Sequence, residues 1–324
     1  MRMQKRIEVV FLVLGGGGFT TAWQVGCLVR LLLFCKNHGI TVIGIFGTSG
    51  GAINAAVLTQ AQTQEELFPL GKHLKRVWLA LCEAGPYEVI PLRFWNIGFW
   101  ERVILGDSSG ILGLLEGTVP RTRAHDKTGG VDFGKVISSP IIFECSALYE
   151  GSSEVISFSN RTRRTTLAHP RELLLGCASS ATIPTIFDPV EIGGAHFSDV
   201  GWISFDTALE NRPDLIIALL PYLENEAVST GVTGTSWISD WISSRWSFRS
   251  LYHRSATIAA HNKREISVAR KAGIPIETLY MSSSVPGLVT HKFRPGDLRT
   301  AIRQGDHDVA AFLARLKNQY RFKS

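Results

Sequence analysis

Apolar residues fall into two kinds of run along this chain, and their alternation predicts its architecture. Val9–Leu14 ("VVFLVL") is short and continuously apolar. That is the pattern of a strand covered on both faces, as in a parallel sheet. Four glycines follow, and from Ala22 to Phe34 the apolar spacing becomes helical. Gly39–Phe46 ("GITVIGIF") is a second strand-like run, and Gly51–Gln60 ("GAINAAVLTQ") a second, small-residue helix. Strand, glycines, helix, strand, glycines, helix is the rhythm of a βαβα unit.

Farther along, residues 62–130 read as less regular, with an aromatic and basic stretch at Pro91–Ile104 and an exposed loop at Thr122–Gly130. Pro140–Tyr149 and Ser153–Ser159 predict two strands joined by a Glu-Gly-Ser turn. His169–Ser180 predicts a helix with proline at its start, where the missing N–H costs nothing. Asp214–Tyr222 predicts another buried strand, and Glu224–Gly234 a linker. The segment "GDHDVAAFLARLKNQY" predicts a C-terminal helix that begins at Asp306 or Asp308. On a helical wheel through Ser236–Arg254, Trp237, Trp241, Phe248 and Tyr252 share one arc, with Trp246 opposite. Such a face suits either a lipid interface or a packed core, as does the aromatic group Phe94, Trp95, Phe99 and Trp100.

Composition narrows the class. The 324 residues, 45% hydrophobic and 19% charged, can bury a large core and are not those of a disordered or fibrous chain. A formal net charge of +6 favours anionic partners, although the charge is spread apart from Arg161, Arg163, Arg164 and the tail residues Lys317, Arg321 and Lys323. The five cysteines form no C-x-x-C pair, and the nine histidines do not join them at zinc spacing. This predicts free buried thiols in a reducing compartment and no metal. The basic start and short apolar stretch resemble a signal peptide, but no small-residue cleavage site follows, so no cleaved signal is expected. No uninterrupted apolar run reaches the ~18 residues of a membrane span. The expected location is cytoplasmic or at a membrane surface.

The chemistry lies in two glycine clusters. Gly47-Thr48-Ser49-Gly50-Gly51 matches G-x-S-x-G after a strand and before a helix, the setting of a nucleophile elbow. Small neighbours let the chain turn sharply there, so that the serine hydroxyl stands above the sheet. A serine nucleophile also needs a base and an oxyanion hole. Gly15–Gly18, at the preceding strand-to-helix turn, can aim backbone N–H groups at one negative oxygen. The rival dinucleotide loop, G-x-G-x-x-G, requires glycine at position 21 and an acid after the next strand. Position 21 is threonine, and the G-x-S-x-G cluster occupies the second place. For the base, histidine is the usual choice, and His253, His261, His291 and His307 remain candidates beside the aspartates Asp107, Asp188, Asp199 and Asp206.

"LGGGGFTTAWQVGCL", then "GTSGGAINA", then "ASSATIPTIFDPVEIGGAHFSDVG" together resemble the patatin-like phospholipase family. The resemblance covers roughly residues 7–222. It implies a three-layer α/β/α sandwich with a mostly parallel central sheet, in one domain of residues 1–324, with 223–324 a helical extension packed on that core. It further implies a Ser49–Asp199 dyad, with the Gly16, Gly17, Gly18 and Gly50 amides as oxyanion hole. The implied activity is phospholipase A or lysophospholipase chemistry on an acyl-ester lipid, with peripheral membrane contact, no cofactor and no nucleic acid. Two positions depart from the family pattern. Phe19-Thr20-Thr21 stands where a small residue, a basic residue and glycine are usual, and Val200 stands where glycine follows the aspartate. These departures set out the alternative expectation, a catalytically impaired protein that binds lipid or a partner on the same fold.

Overall fold

The structure is a computed structural model and describes residues 4–84, 108–118, 130–152, 154–161, 169–184, 187–224, 246–285 and 295–323, with side chains in the helix at 246–257 excluded. The expectations for the aromatic stretch at 91–104, the loop at 122–129, the linker and the first half of the amphipathic segment lie outside the described residues.

The predicted βαβα unit is present. Strand β1 is Val9–Leu14, helix α1 Ala22–Asn37, strand β2 Thr41–Gly47 and helix α2 Gly50–Leu58. β1 is buried on both faces. Leu12 and Leu14 join one apolar cluster with Trp23 and Leu28, whereas Phe11 and Val13 join another with Phe46, Ile203 and Phe205. Alternate side chains of one strand thus enter two cores, which explains the unbroken apolar run.

Six further strands complete an eight-stranded sheet. They are β3 (Ile142–Tyr149), β4 (Val155–Ser159), β5 (Val190–Ile192), β6 (Ala195–Ser198), β7 (Leu215–Leu220) and β8 (Ile276–Tyr280). Along β3-β2-β1-β7-β8 every pairing is parallel, while β4 and β6 run antiparallel to β3 and β5 to β6. The sheet is mostly parallel, with helices on both faces: the three-layer α/β/α class expected from the resemblance.

Three expectations need correction. Residues 62–130 are not irregular throughout: they hold α3 (Gln64–Ala84) and α4 (Ser109–Glu116), with α5 (Phe133–Ser138) just beyond. α3 buries Leu67, Leu74, Val77, Trp78 and Leu81 along one face and carries Pro69 exposed in its second turn. The proline obscured a helical period that packing sustains. After α6 (Pro170–Ala181) and α7 (Asp206–Asn211) come α8 (Trp246–Lys271) and α9 (Pro295–Gln319). The C-terminal region is therefore not purely helical, because it supplies β8, whose half-buried side chains blur the apolar signal.

Asp306 and Asp308 lie within α9 rather than at its start. Gly305 reads as a boundary, yet its role is close approach, since a Cβ there would collide with the Trp23 carbonyl oxygen of α1. Asp308 accepts a hydrogen bond from the Trp23 indole at 2.8 Å, and Asp306 pairs with Arg30 through two bonds of 2.9 and 2.7 Å. Gly18–Asn37, interrupted by Gln24, Arg30 and Lys36, has the length of a membrane span and over 18 residues a mean hydropathy of 1.4, but 72% of that window is buried, as in a core helix.

Candidate active site

β2 and β6 place the two candidate catalytic residues. Leu148 of β3 pairs with Val155 on one edge and with Ser198 on the other, and Cys145 pairs with Phe158 and Gly47 in the same way. β2 and β6 therefore share one edge of β3 and run toward each other. β2 stops opposite Cys145 and β6 opposite Leu148, and Ser49 and Asp199 follow those strand ends within two residues.

One short segment ties both ends. Ser180 Oγ, in the last turn of α6, accepts the Ser49 N–H at 3.1 Å, and the Thr182 carbonyl accepts the Asp199 N–H at 2.8 Å. Asp199 Oδ1 in turn accepts the Gly201 N–H at 2.6 Å, closing a tight turn in which Gly201 takes φ 70°. Ser49 and Asp199 are 3% and 4% exposed.

The serine backbone is strained. Ser49 has φ 56° and ψ −134°, a conformation that costs a residue with a Cβ of order 1–3 kcal/mol and persists only where surroundings enforce it. Here the strain turns the chain from β2 into α2, whose first residue is Gly50, and leaves Ser49 at the positive helix end.

The glycine loop lies directly on this turn. A Cβ added to Gly16 would sit 2.7 Å from the Ser49 Cβ and 3.6 Å from its Oγ. A Cβ on Gly50 would meet the Gly18 carbonyl at 2.8 Å. Gly15 donates its N–H to Leu219 at 3.0 Å, the last rung of the strand pairing. The Gly16 and Gly17 N–H groups have no acceptor among the described residues.

The two threonines that depart from the family pattern brace this loop. Thr20 Oγ1 donates to the Gly17 carbonyl at 2.6 Å and Thr21 Oγ1 to the Gly18 carbonyl at 2.5 Å. Both hold carbonyls from their own side of the turn. Gly18 itself takes φ 53°. Val200, the other departure, is a buried core residue.

Sequence reasoning missed the polar strut beneath the loop. Gln24 Nε2 donates to the Gly15 and Leu219 carbonyls at 2.7 and 3.0 Å. Asn54 Nδ2 donates to Gln24 Oε1 at 3.0 Å and to the Thr21 carbonyl at 3.2 Å, while Trp78 donates to Asn54 Oδ1 at 2.9 Å. Gln24 and Asn54 are fully buried. The signal was available, because Asn54 is the lone polar side chain of α2 and Gln24 sits in the apolar first half of α1.

Of the other candidate bases, Asp188, Asp206, His261 and His307 are among the described residues. His261 stacks on Trp202, ring centroids 4.3 Å apart, and burial lowers its pKa. His307 is exposed on the outer side of α9 beside the buried Asp308, and Asp206 starts α7. Asp107, His291 and the His253 side chain fall outside the described residues. All five cysteines are free and buried, and burial pushes Cys82 to about 11 and Cys35 to about 12. Among the described residues no cluster of three metal-ligating side chains forms.

The sequence model of patatin-like phospholipases matches residues 12–211. The chain belongs to the patatin-like phospholipase family. A search of curated proteins gives no match. Among solved structures, this family member is similar to VipD from Legionella pneumophila, with a TM-score of 0.41 and 11% identity over 97% of this chain and 71% of that one. It is also similar to the type III effector ExoU of Pseudomonas aeruginosa (TM-score 0.37, 15% identity, 96% of this chain and 54% of ExoU). Human GIVD cytosolic phospholipase A2, solved with methyl gamma-linolenyl fluorophosphonate, gives a TM-score of 0.41 and 13% identity over 97% of this chain. The chain spans 60% of that enzyme's length.

Proposed function

We propose that this patatin-like protein is a serine acyl-ester hydrolase of lipids, of phospholipase A or lysophospholipase type. Ser49 Oγ attacks the ester carbonyl carbon and passes its proton to the Asp199 carboxylate. The negative oxygen that forms is held by backbone N–H groups of Gly16, Gly17, Gly18 and Gly50, each such donor contributing about 3 kcal/mol in the transition state. The leaving alcohol takes the proton back from Asp199 as acyl-Ser49 forms. Water, deprotonated by Asp199, then releases the fatty acid and frees Ser49.

The observation that carries this reading is the convergence of β2 and β6 on one gap beside β3, with Ser180–Thr182 tying Ser49 and Asp199. Gly16, whose N–H has no acceptor among the described residues, lies against the same serine, and Gly17 follows it in the loop. The bracing of the loop carbonyls by Thr20 and Thr21 supports the active reading over the impaired one. Lipid aggregates presented at a membrane surface are the expected substrate.

Ser49→Ala tests the proposal. Hydrolysis of a short p-nitrophenyl ester and of phospholipid vesicles should fall by roughly 10^4-fold or more, with the thermal unfolding midpoint retained. Turnover equal to that of the unsubstituted protein would overturn it.

A further inference from the structure

Gly201, which closes the Asp199 turn, and the next two residues, Trp202 and Ile203, are each engaged by one face of α8. A Cβ on Gly201 would lie 2.5 Å from Ile258 Cδ1, so Ile258 packs flat against that glycine. Trp202 stacks on His261, with centroids 4.3 Å apart and ring planes 17° apart. Ile203 donates its N–H to Asn262 Oδ1 at 3.0 Å. Ile258, His261 and Asn262 are spaced i, i+3, i+4 and therefore share a face of the helix. Asn262 is 1% exposed and also donates through Nδ2 to the Tyr222 hydroxyl at 3.2 Å, at the end of β7. α8 lies beyond the family-matched segment, which ends at residue 211.

We propose that α8 clamps the turn carrying Asp199, and that Asn262 is the positioning residue of that clamp. The proposal rests on the reading of Asp199 as the proton acceptor of Ser49. Its logic is mechanical. The Asp199–Gly201 turn is held on its upstream side by Thr182, and its downstream side is otherwise a stretch without regular structure up to α7. A carboxylate that must meet a serine hydroxyl tolerates little drift, since a misplacement of about 1 Å costs on the order of 100-fold in rate. The helix fixes the downstream side through a packed glycine, a stacked ring and a buried amide.

The experiment compares kcat and KM for a soluble p-nitrophenyl ester, together with unfolding midpoints, across Asn262→Ala, Asn262→Asp, His261→Ala, Leu316→Ala and Asp199→Asn. Asn262→Asp keeps the acceptor for Ile203 and can take the Tyr222 hydroxyl as donor. Leu316→Ala creates a cavity in α9, away from the site, and serves as a control for lost stability alone. Asn262→Ala should lower kcat roughly 10- to 100-fold with KM unchanged. Asn262→Asp should recover most of the loss, and His261→Ala, at a half-buried position, should lower kcat several-fold. Leu316→Ala should lower the midpoint and keep kcat.

Unchanged kcat in folded Asn262→Ala, or in His261→Ala should the first variant not fold, overturns the clamp. So does an equal kcat loss in Leu316→Ala. If Asp199→Asn is inactive while the Asn262 and His261 variants turn over normally, the clamp fails and the dyad stands. If Asp199→Asn turns over normally, the dyad itself fails.

Discussion

The Ser49 turn and the Asp199 turn, the two halves of the proposed site, are built on opposite plans. The serine half is local. Gly16, Ser49 and Gly50 come from adjacent parallel strands and the helices that follow them, and they touch one another directly. Its strain is confined to one residue, held by packing of glycine on serine. The aspartate half is assembled from distant pieces. Its backbone is tied to the end of α6 upstream and to Asn262 of α8 downstream, and Asn262 in turn donates to the Tyr222 hydroxyl. The serine half should therefore respond sharply to any added atom, and the aspartate half more gradually to the loss of supports.

Gly16→Ala tests the first part of that contrast and carries the largest effect. The new methyl would lie 2.7 Å from the Ser49 Cβ, so the loop or the serine must move. Loss of an aligned oxyanion donor predicts a fall of about 10^2 to 10^3 in kcat for p-nitrophenyl ester hydrolysis. A variant with full activity would mean that the loop is not the hole.

Ser180→Ala probes the bridge between the halves. It leaves the buried Ser49 N–H without its acceptor, at a cost of about 1–3 kcal/mol in stability. Chemical denaturation should register that loss, with activity falling roughly tenfold as the serine turn relaxes.

The smallest effect is expected beneath the site. Glu144 on β3 is 5% exposed, and burial raises its carboxyl above the ordinary 4.5, against opposing hydrogen bonds from Thr207 and Ser157. The folded chain binds this proton more tightly than the unfolded one. Its contribution is complete below pH 4.5 and is lost as pH rises through the folded value. Glu144→Gln should flatten the fall in unfolding midpoint from pH 4.5 upward while leaving ester hydrolysis intact. An unaltered pH slope would contradict the burial argument.

The contrast also explains what was legible in the chain. β1, α1, β2 and α2 were readable because each has a clean period and glycines mark the turns. The serine motif was readable because its chemistry demands a strand before it and a helix after it. α3 and α9 were partly hidden, since Pro69 and Gly305 look like breaks, while tertiary packing carries both helices through. Gln24 and Asn54 were visible as amides in apolar helices, but their partners lie on other elements. The supports of Asp199 were the least legible. Ile258, His261 and Asn262 make an unremarkable polar-apolar mixture until α8 is laid against Gly201–Ile203.

The most direct test of the Ser49–Asp199 pairing is the rate at which a fluorophosphonate modifies the protein, followed by peptide mass spectrometry in the unsubstituted chain and in Asp199→Asn. The account predicts a single adduct on Ser49 in the former and a rate lower by roughly 10^3-fold or more in the latter, because the hydroxyl has lost the group that takes its proton. Equal rates in the two proteins, or an adduct on another residue, would contradict it.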